Sequence, residues 1–131
     1  MRPRRRRIQD FNPHRRFALV TLLAAISFTL ILILIFRTWD YVFLWLIAIN
    51  LVTFVTFRYD KAVAPTRAVR VPEGILLMLT LLGGFGGAII EQLLDRHKTQ
   101  KASFRALFWP CAAISLALLV IYYFVVCPNC R

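Results

Sequence analysis

The chain has 131 residues, and 60% of them are hydrophobic, which is well above the roughly 45–50% typical of globular domains. The 17 Lys and Arg outnumber the 6 Asp and Glu, giving a net charge of +11, and the charges cluster between uncharged stretches. This apolar content excludes intrinsic disorder, and three cysteines are too few for a disulfide-stabilised secreted scaffold. The pattern is typical of an integral membrane protein.

Residues 1–16 form an arginine-rich segment that contains the run Arg4 to Arg7. Each basic residue near an anionic leaflet contributes about 1 kcal/mol of attraction, so we expect anionic lipid headgroups to be the partner of this run. No aromatic residues alternate with the arginines as they do on platforms that stack bases, so we do not expect a nucleic-acid partner. The segment is expected to stay in the cytoplasm.

The first apolar segment, residues 17–36, contains no charge and is long enough to cross a bilayer as a helix. It is longer than the apolar core of a signal peptide, about 7–15 residues, and it ends in Ile35-Phe36-Arg37, without a small-residue cleavage site. We interpret it as a retained transmembrane helix.

Three further apolar segments follow within a membrane domain that we place at residues 41–126. They are residues 41–57, interrupted by Asn50, residues 74–90, rich in glycine, and residues 106–126, with Pro110 near the start. The sequence therefore predicts an all-α, polytopic transmembrane protein with four apolar segments and a short tail at residues 127–131.

The distribution of Lys and Arg leaves two topologies open. If all four segments cross as straight helices with the amino terminus inside, the inner side carries 12 Lys and Arg and the outer side 5. If the third segment is re-entrant, the counts are 15 and 2, so the positive-inside rule prefers a hairpin. Non-helical backbone at membrane depth must be surrounded by protein, and a short chain offers little of it. We therefore favour the straight helix.

The glycines of the third segment indicate a packing face. In a straight helix Gly83 and Gly87 form a GxxxG pair, and Gly84 with Ala88 repeats the spacing, so a neighbouring backbone could approach closely. The alternative is that these glycines reflect the higher glycine content of membrane helices in general.

Two charged clusters flank the third segment and supply the candidate site residues. Asp60, Glu73 and His97 are the candidates for proton transfer, and the cations that could hold a phosphate or a lipid headgroup are Lys61, Arg70, Lys98 and Lys101. Each carboxylate also has a structural interpretation. Glu73 follows Pro72 at a helix start, and Asp60 can balance neighbouring cations. The ionisable residues lie at segment ends, which argues against an ion or proton transporter.

The order of four motifs resembles a known family. Tyr59-Asp60-Lys61, Arg70-Val71-Pro72-Glu73, Leu82-Gly83-Gly84, and His97-Lys98-Thr99 followed by Lys101 and Phe104 are similar to the bacterial membrane-protein family catalogued as domain of unknown function 1294. The resemblance covers residues 41–126 and implies a small membrane protein with about three apolar segments and no established activity. Some relatives carry a cold-shock domain, whose strand motif is absent here.

The tail contains Cys127 and Cys130, a CxxC pair that supplies two ligands where a structural zinc site needs four. We interpret the pair as incidental and Cys111 as a small apolar helix residue, and we expect no metal site and no cofactor. No catalytic triad, metalloprotease motif, phosphate-binding loop or dinucleotide fingerprint is present.

We expect a multi-pass protein of the cell inner membrane that acts as a structural, interaction or accessory-subunit module, as a homo-oligomer or as part of a membrane complex. The alternative is a membrane-embedded enzyme or binder of a lipid headgroup or phosphate. That alternative requires His97 and Lys61 at one membrane face, an arrangement that only the hairpin topology gives within one chain.

Overall fold

The computed structural model describes residues 13–66, 70–94 and 102–126, with side chains from Arg15 onward. The regular structure in these ranges is helical, and no strand occurs among them. Thr80–Gly84 connects α3 to α4 across a kink at Gly83, and a π-helical turn, Tyr122–Val126, follows α5. The helices are α1 (Pro13–Ile35), α2 (Tyr41–Val63), α3 (Glu73–Leu79), α4 (Phe85–Leu94) and α5 (Ala102–Ile121).

Four helical segments in the described part of the chain are long and apolar enough to cross a membrane: Arg15–Ile35, Tyr41–Val63, Glu73–Leu94 and Ala102–Val126. Their mean hydropathy lies between 1.8 and 2.8. The prediction of an all-α membrane protein with four apolar segments is confirmed, and the chain is a multi-pass membrane protein.

α1 and α2 are antiparallel and are joined by a short turn. Asp40 caps the start of α2, because its Oδ1 accepts a hydrogen bond of 3.0 Å from the backbone N–H of Val42. At the other end of the pair the rings of Phe17 and Tyr59 lie 6.2 Å apart. The two ends of α2 therefore define the two ends of the bundle.

The third apolar segment begins at the carboxyl end of α2 and first runs antiparallel to it. Just before α3, the backbone N–H of Val71 donates to Asp60 Oδ1 at 3.1 Å. Eleven residues later, the carbonyl of Leu82 accepts a hydrogen bond from the indole of Trp45, near the start of α2, at 3.2 Å. The chain has then followed α2 for most of its length.

The chain reverses direction at Gly83, whose φ of +113° interrupts the helix. α4 then runs parallel to α2 and returns to its carboxyl end. Asn50, in the middle of α2, bonds to Gly87, and Lys61, near the end of α2, contacts Glu91. Residues 73–94 are therefore a helical hairpin, and we refer to them as the hairpin.

Val71 and Glu91 contact consecutive residues of α2, whereas a straight helix between them would be about 30 Å long. The straight third span that we favoured is therefore not found, although residues 73–94 have sufficient length for one. The count of Lys and Arg had favoured the hairpin. We expected a chain this short to offer too little protein to surround non-helical backbone in the membrane. That expectation was wrong, because α2 itself packs against the hairpin.

α5 is antiparallel to α2 and closes the bundle. Its first residues lie near the carboxyl end of α2, where the rings of Phe57 and Phe104 are 6.2 Å apart and those of Phe104 and Phe108 are 6.1 Å apart. Near its other end, Tyr123 lines a cavity with Asp40. Both α3 and α5 thus start at the end of the bundle where α2 and α4 finish, and we call it the motif end.

Candidate functional site

Asn50 holds the tip of the hairpin. Its Nδ2 donates to the carbonyls of Leu46 at 2.7 Å and Gly83 at 2.9 Å, and its Oδ1 accepts from the N–H of Gly87 at 2.7 Å. A break between two helices leaves carbonyls of the first and N–H groups of the second without partners, and lipid cannot supply them. One amide side chain from α2 pairs both kinds of group, so the backbone reversal is tolerated at membrane depth.

The glycines of the hairpin lie against α2 of the same chain. A Cβ on Gly87 would collide with the carbonyl oxygen of Asn50, and one on Gly84 would collide with Thr53 Oγ1. At Gly83 the positive φ disfavours a side chain, and a Cβ would lie 2.9 Å from Leu46 Cδ2. The close backbone approach that the spacing indicated therefore occurs within one subunit, and these glycines are not exposed to a partner.

Lys61 and Glu91 form an ion pair between α2 and α4. Lys61 Nζ lies 2.7 Å from Glu91 Oε2, and the Glu91 side chain is completely buried while that of Lys61 is 24% exposed. Glu91 Oε1 has no hydrogen-bond partner among the described residues. A buried carboxylate in a membrane protein is costly unless it is paired, so this contact joins the two helices strongly in one arrangement.

Asp60 connects α2 to the start of the hairpin. Besides accepting from the N–H of Val71, it lies 3.5 Å from Arg70 through Oδ2 and Nη2. The Arg70 side chain is 60% exposed, so this pair is solvent-screened and contributes about 0–1 kcal/mol. The backbone hydrogen bond is the stronger constraint because it fixes where the chain turns toward α3.

The structure brings several predicted site residues to the motif end. Asp60, Lys61 and Arg70 lie there in contact with each other or with the hairpin, and Glu73 lies in the exposed first turn of α3, next to the positive end of the helix dipole. The remaining candidates fall outside the described residues; they are His97, Lys98, Lys101, Cys127, Cys130 and the run Arg4 to Arg7.

Sequence reasoning did not identify Glu91 as a site residue. It does lie at the end of its apolar segment, as expected of ionisable residues, yet it is fully buried. A signal was available, because Gly84, Gly87, Ala88 and Glu91 follow the spacing of one helix face. Glu91 therefore lies on the same face of α4 as the glycines that pack against α2.

Residues 50–104 match the family described as Protein of unknown function (DUF1294). No curated protein and no solved structure matches the chain. The matched range begins at Asn50 and ends at Phe104, so it contains the contacts of Asn50 and Lys61 with the hairpin and the contact of Asp60 with Val71 just before it. The resemblance seen in the four motifs is confirmed, because residues 50–104 are similar to the DUF1294 family.

Proposed function

We propose that this protein is a structural or accessory module of the cell inner membrane that acts through contacts with other membrane-embedded chains. The observation that carries the proposal is the internal pairing of three charged motif residues in the described part of the chain, Asp60, Lys61 and Arg70. Asp60 is paired with Arg70, and Lys61 with Glu91. Side chains that fix the hairpin to α2 serve the architecture of the bundle, and a small helical bundle is suited to assembly with other helices in the membrane.

The contact surface in this proposal is one face of α5. Three alanines and one proline at helical spacing, all exposed, lie along it: Ala106, Pro110, Ala113 and Ala117. Small residues at such spacing let two helices in lipid approach closely, because dispersion contacts between backbones replace contacts with acyl chains. A second copy of the chain is the simplest partner for this face.

Cross-linking in lipid nanodiscs and native mass spectrometry test the proposal. We expect the full chain to be at least dimeric, and the double variant Ala113→Leu with Ala117→Leu to be monomeric, because two leucines hold the helices apart. Leu118→Phe is the matched control, since Leu118 is exposed on another face of α5 and its enlargement leaves the small residues unchanged. A wild-type chain that is monomeric and co-purifies with no other membrane protein would contradict the proposal.

The proposed orientation places the amino terminus and the motif end in the cytoplasm. The hairpin topology supports it, because 15 Lys and Arg then lie inside and 2 outside. Changing Arg4 to Arg7 to glutamine tests the role of the arginine run. We expect mixed orientation and weaker association with anionic lipid, whereas an unchanged protein in both respects would refute that role.

A second candidate function is binding of a phosphate or lipid headgroup at the motif end. It is favoured by the hairpin, which brings the Lys61 ammonium and the Arg70 guanidinium to one end of the bundle with 24% and 60% of their side chains exposed. Retention of phosphatidic acid in nanodiscs, compared between wild type and Arg70→Gln, tests it. The candidate requires a several-fold loss in the variant.

A further inference from the structure

A shallow, open cavity of about 680 Å³ lies at the opposite end of the bundle from the motif end, between α2 and α5. Its apolar wall consists of Phe43 and Leu46 from α2 and Leu119 from α5. Its polar rim includes Asp40 and Tyr123, with Trp39 beside them. Leu46 also packs beside Gly83 at the hairpin tip, whereas Asp40, Phe43, Leu119 and Tyr123 take no part in the contacts described for the hairpin.

The two carboxylate oxygens of Asp40 differ in their hydrogen bonding. Oδ1 accepts the capping hydrogen bond from Val42, whereas Oδ2 is buried and has no hydrogen-bond partner among the described residues. A buried carboxylate oxygen without a donor is unfavourable, and a cationic N–H group would satisfy both its charge and its hydrogen-bonding capacity. The Tyr123 hydroxyl hydrogen-bonds to the Asp40 carboxylate, but no cation among the described residues forms an ion pair with it. The rim of the cavity therefore carries a negative charge without a counter-charge.

Aromatic rings adjoin this acceptor. The ring of Trp39 lies 5.1 Å from that of Phe36 and 5.6 Å from that of Phe43, measured between centroids, and Trp39 is 48% exposed. Trp and Tyr side chains concentrate at the level of the lipid headgroups, and the face of an indole attracts cations within about 6 Å. The aromatic rim and the carboxylate thus favour the same kind of ligand, a cation at the membrane interface.

We propose that this cavity binds an aminophospholipid, with the primary ammonium of the headgroup on Asp40 Oδ2 beside Trp39. The upper part of an acyl chain would follow Phe43, Leu46 and Leu119. The apolar wall selects a lipid over a soluble amine, and the volume lies within the roughly 300–1,000 Å³ of small-molecule sites. The unpartnered oxygen selects a primary ammonium over choline, because a quaternary ammonium has no N–H to donate.

Native mass spectrometry of the full chain, released from nanodiscs of equal parts phosphatidylethanolamine, phosphatidylcholine and phosphatidylglycerol, tests the site. We expect phosphatidylethanolamine to be retained preferentially and Asp40→Asn to lower its retention about tenfold, the effect of losing one charge-assisted hydrogen bond. Asparagine is an equally good helix cap, so this change removes the charge and keeps the start of α2.

A pair of tryptophan variants tests the apolar wall independently. Leu119→Trp should fill the cavity and lower the retention of phosphatidylethanolamine, whereas Leu118→Trp adds the same volume to an exposed neighbour outside the cavity and should leave it unchanged. Equal retention by these two variants, or by wild type and Asp40→Asn, would overturn the proposal. Displacement of the lipid by free ethanolamine at millimolar concentration would also overturn it, since the ligand would then be a soluble amine.

Discussion

Lys61 Nζ lies 2.7 Å from Glu91 Oε2 and joins the last turn of α2 to α4 inside the bundle. The two residues are thirty positions apart and come from different helices. Their contact is possible only because the chain reverses at Gly83 and brings Glu91 back to the end of the bundle where the hairpin started. The ion pair is therefore the most direct signature of the hairpin topology.

Breaking the ion pair on one side should destabilise the protein more than removing both charges. We expect Lys61→Met to lower the free energy of unfolding by about 3–5 kcal/mol, because it leaves the buried Glu91 carboxylate without a counter-charge. The double variant with Glu91→Leu should recover most of this loss. Unfolding in mixed micelles, titrated with sodium dodecyl sulfate, measures both values.

Arg70→Gln is the control for that experiment, since the Arg70 side chain is 60% exposed and its pair with Asp60 should contribute at most about 1 kcal/mol. The Glu91→Leu single variant completes the cycle, and a double variant whose destabilisation equals the sum of the two single variants would show that Lys61 and Glu91 do not act on each other.

Replacing Asn50 should loosen the hairpin tip. Asn50→Leu removes the partners of the Gly83 carbonyl and the Gly87 N–H at once, and we expect it to lower the free energy of unfolding by about 1–3 kcal/mol. Amide hydrogen exchange should rise at Gly87 in particular. Thr29→Val is the comparison, because the Thr29 hydroxyl bonds only to the Ala25 carbonyl of its own helix. Equal stability of the two variants would argue against the role of Asn50.

Two glycine substitutions in the same hairpin should have opposite effects. Gly87→Ala places a methyl group against the Asn50 carbonyl and should destabilise the protein by about 1–3 kcal/mol. Gly74→Ala meets no atom within 4 Å and should leave stability unchanged or raise it by up to about 1 kcal/mol, because alanine favours the helix. The same detergent titration measures both, and a tolerated Gly87→Ala would contradict the packing of α4 on α2.

Single-cysteine labelling tests the topology in membranes. In a background with the three native cysteines changed to serine, we expect Cys at Thr66 and Cys at Leu94 to react with an impermeant maleimide from the same side. Cys at Thr38, in the turn between α1 and α2, should react only from the other side. Labelling of positions 66 and 94 from opposite sides would exclude the hairpin.

The sequence was sufficient to predict the helices but not the reversal. Long uncharged runs determine where a chain crosses a bilayer, so the apolar segments and their order were predictable. The reversal depends on a positive φ at Gly83 and on the side chain of Asn50, thirty-three residues away, which pairs with the backbone there. No local pattern shows that these two residues meet, although the distribution of arginine and lysine indicated the correct topology.

The candidate site was predictable only in part. Asp60, Lys61 and Arg70 were identified because charges between apolar segments stand out in the sequence. Glu91 was not, because its position at a segment end suggests exposure, and only the packing of α4 against α2 shows that it is buried. The unpartnered oxygen of Asp40 and the cavity beside it depend on how α5 approaches α2, which the sequence does not specify.

The capping of the hairpin tip by Asn50 has a consequence for biogenesis. The Gly83 carbonyl and the Gly87 N–H can leave water only if the amide of α2 is already in place. α2 precedes the hairpin in the chain, so the ribosome synthesises Asn50 before Gly83 and Gly87. The partner of these two backbone groups is therefore present before they enter the membrane. A circular permutant that translates the hairpin before α2 would reverse this sequence and should insert poorly.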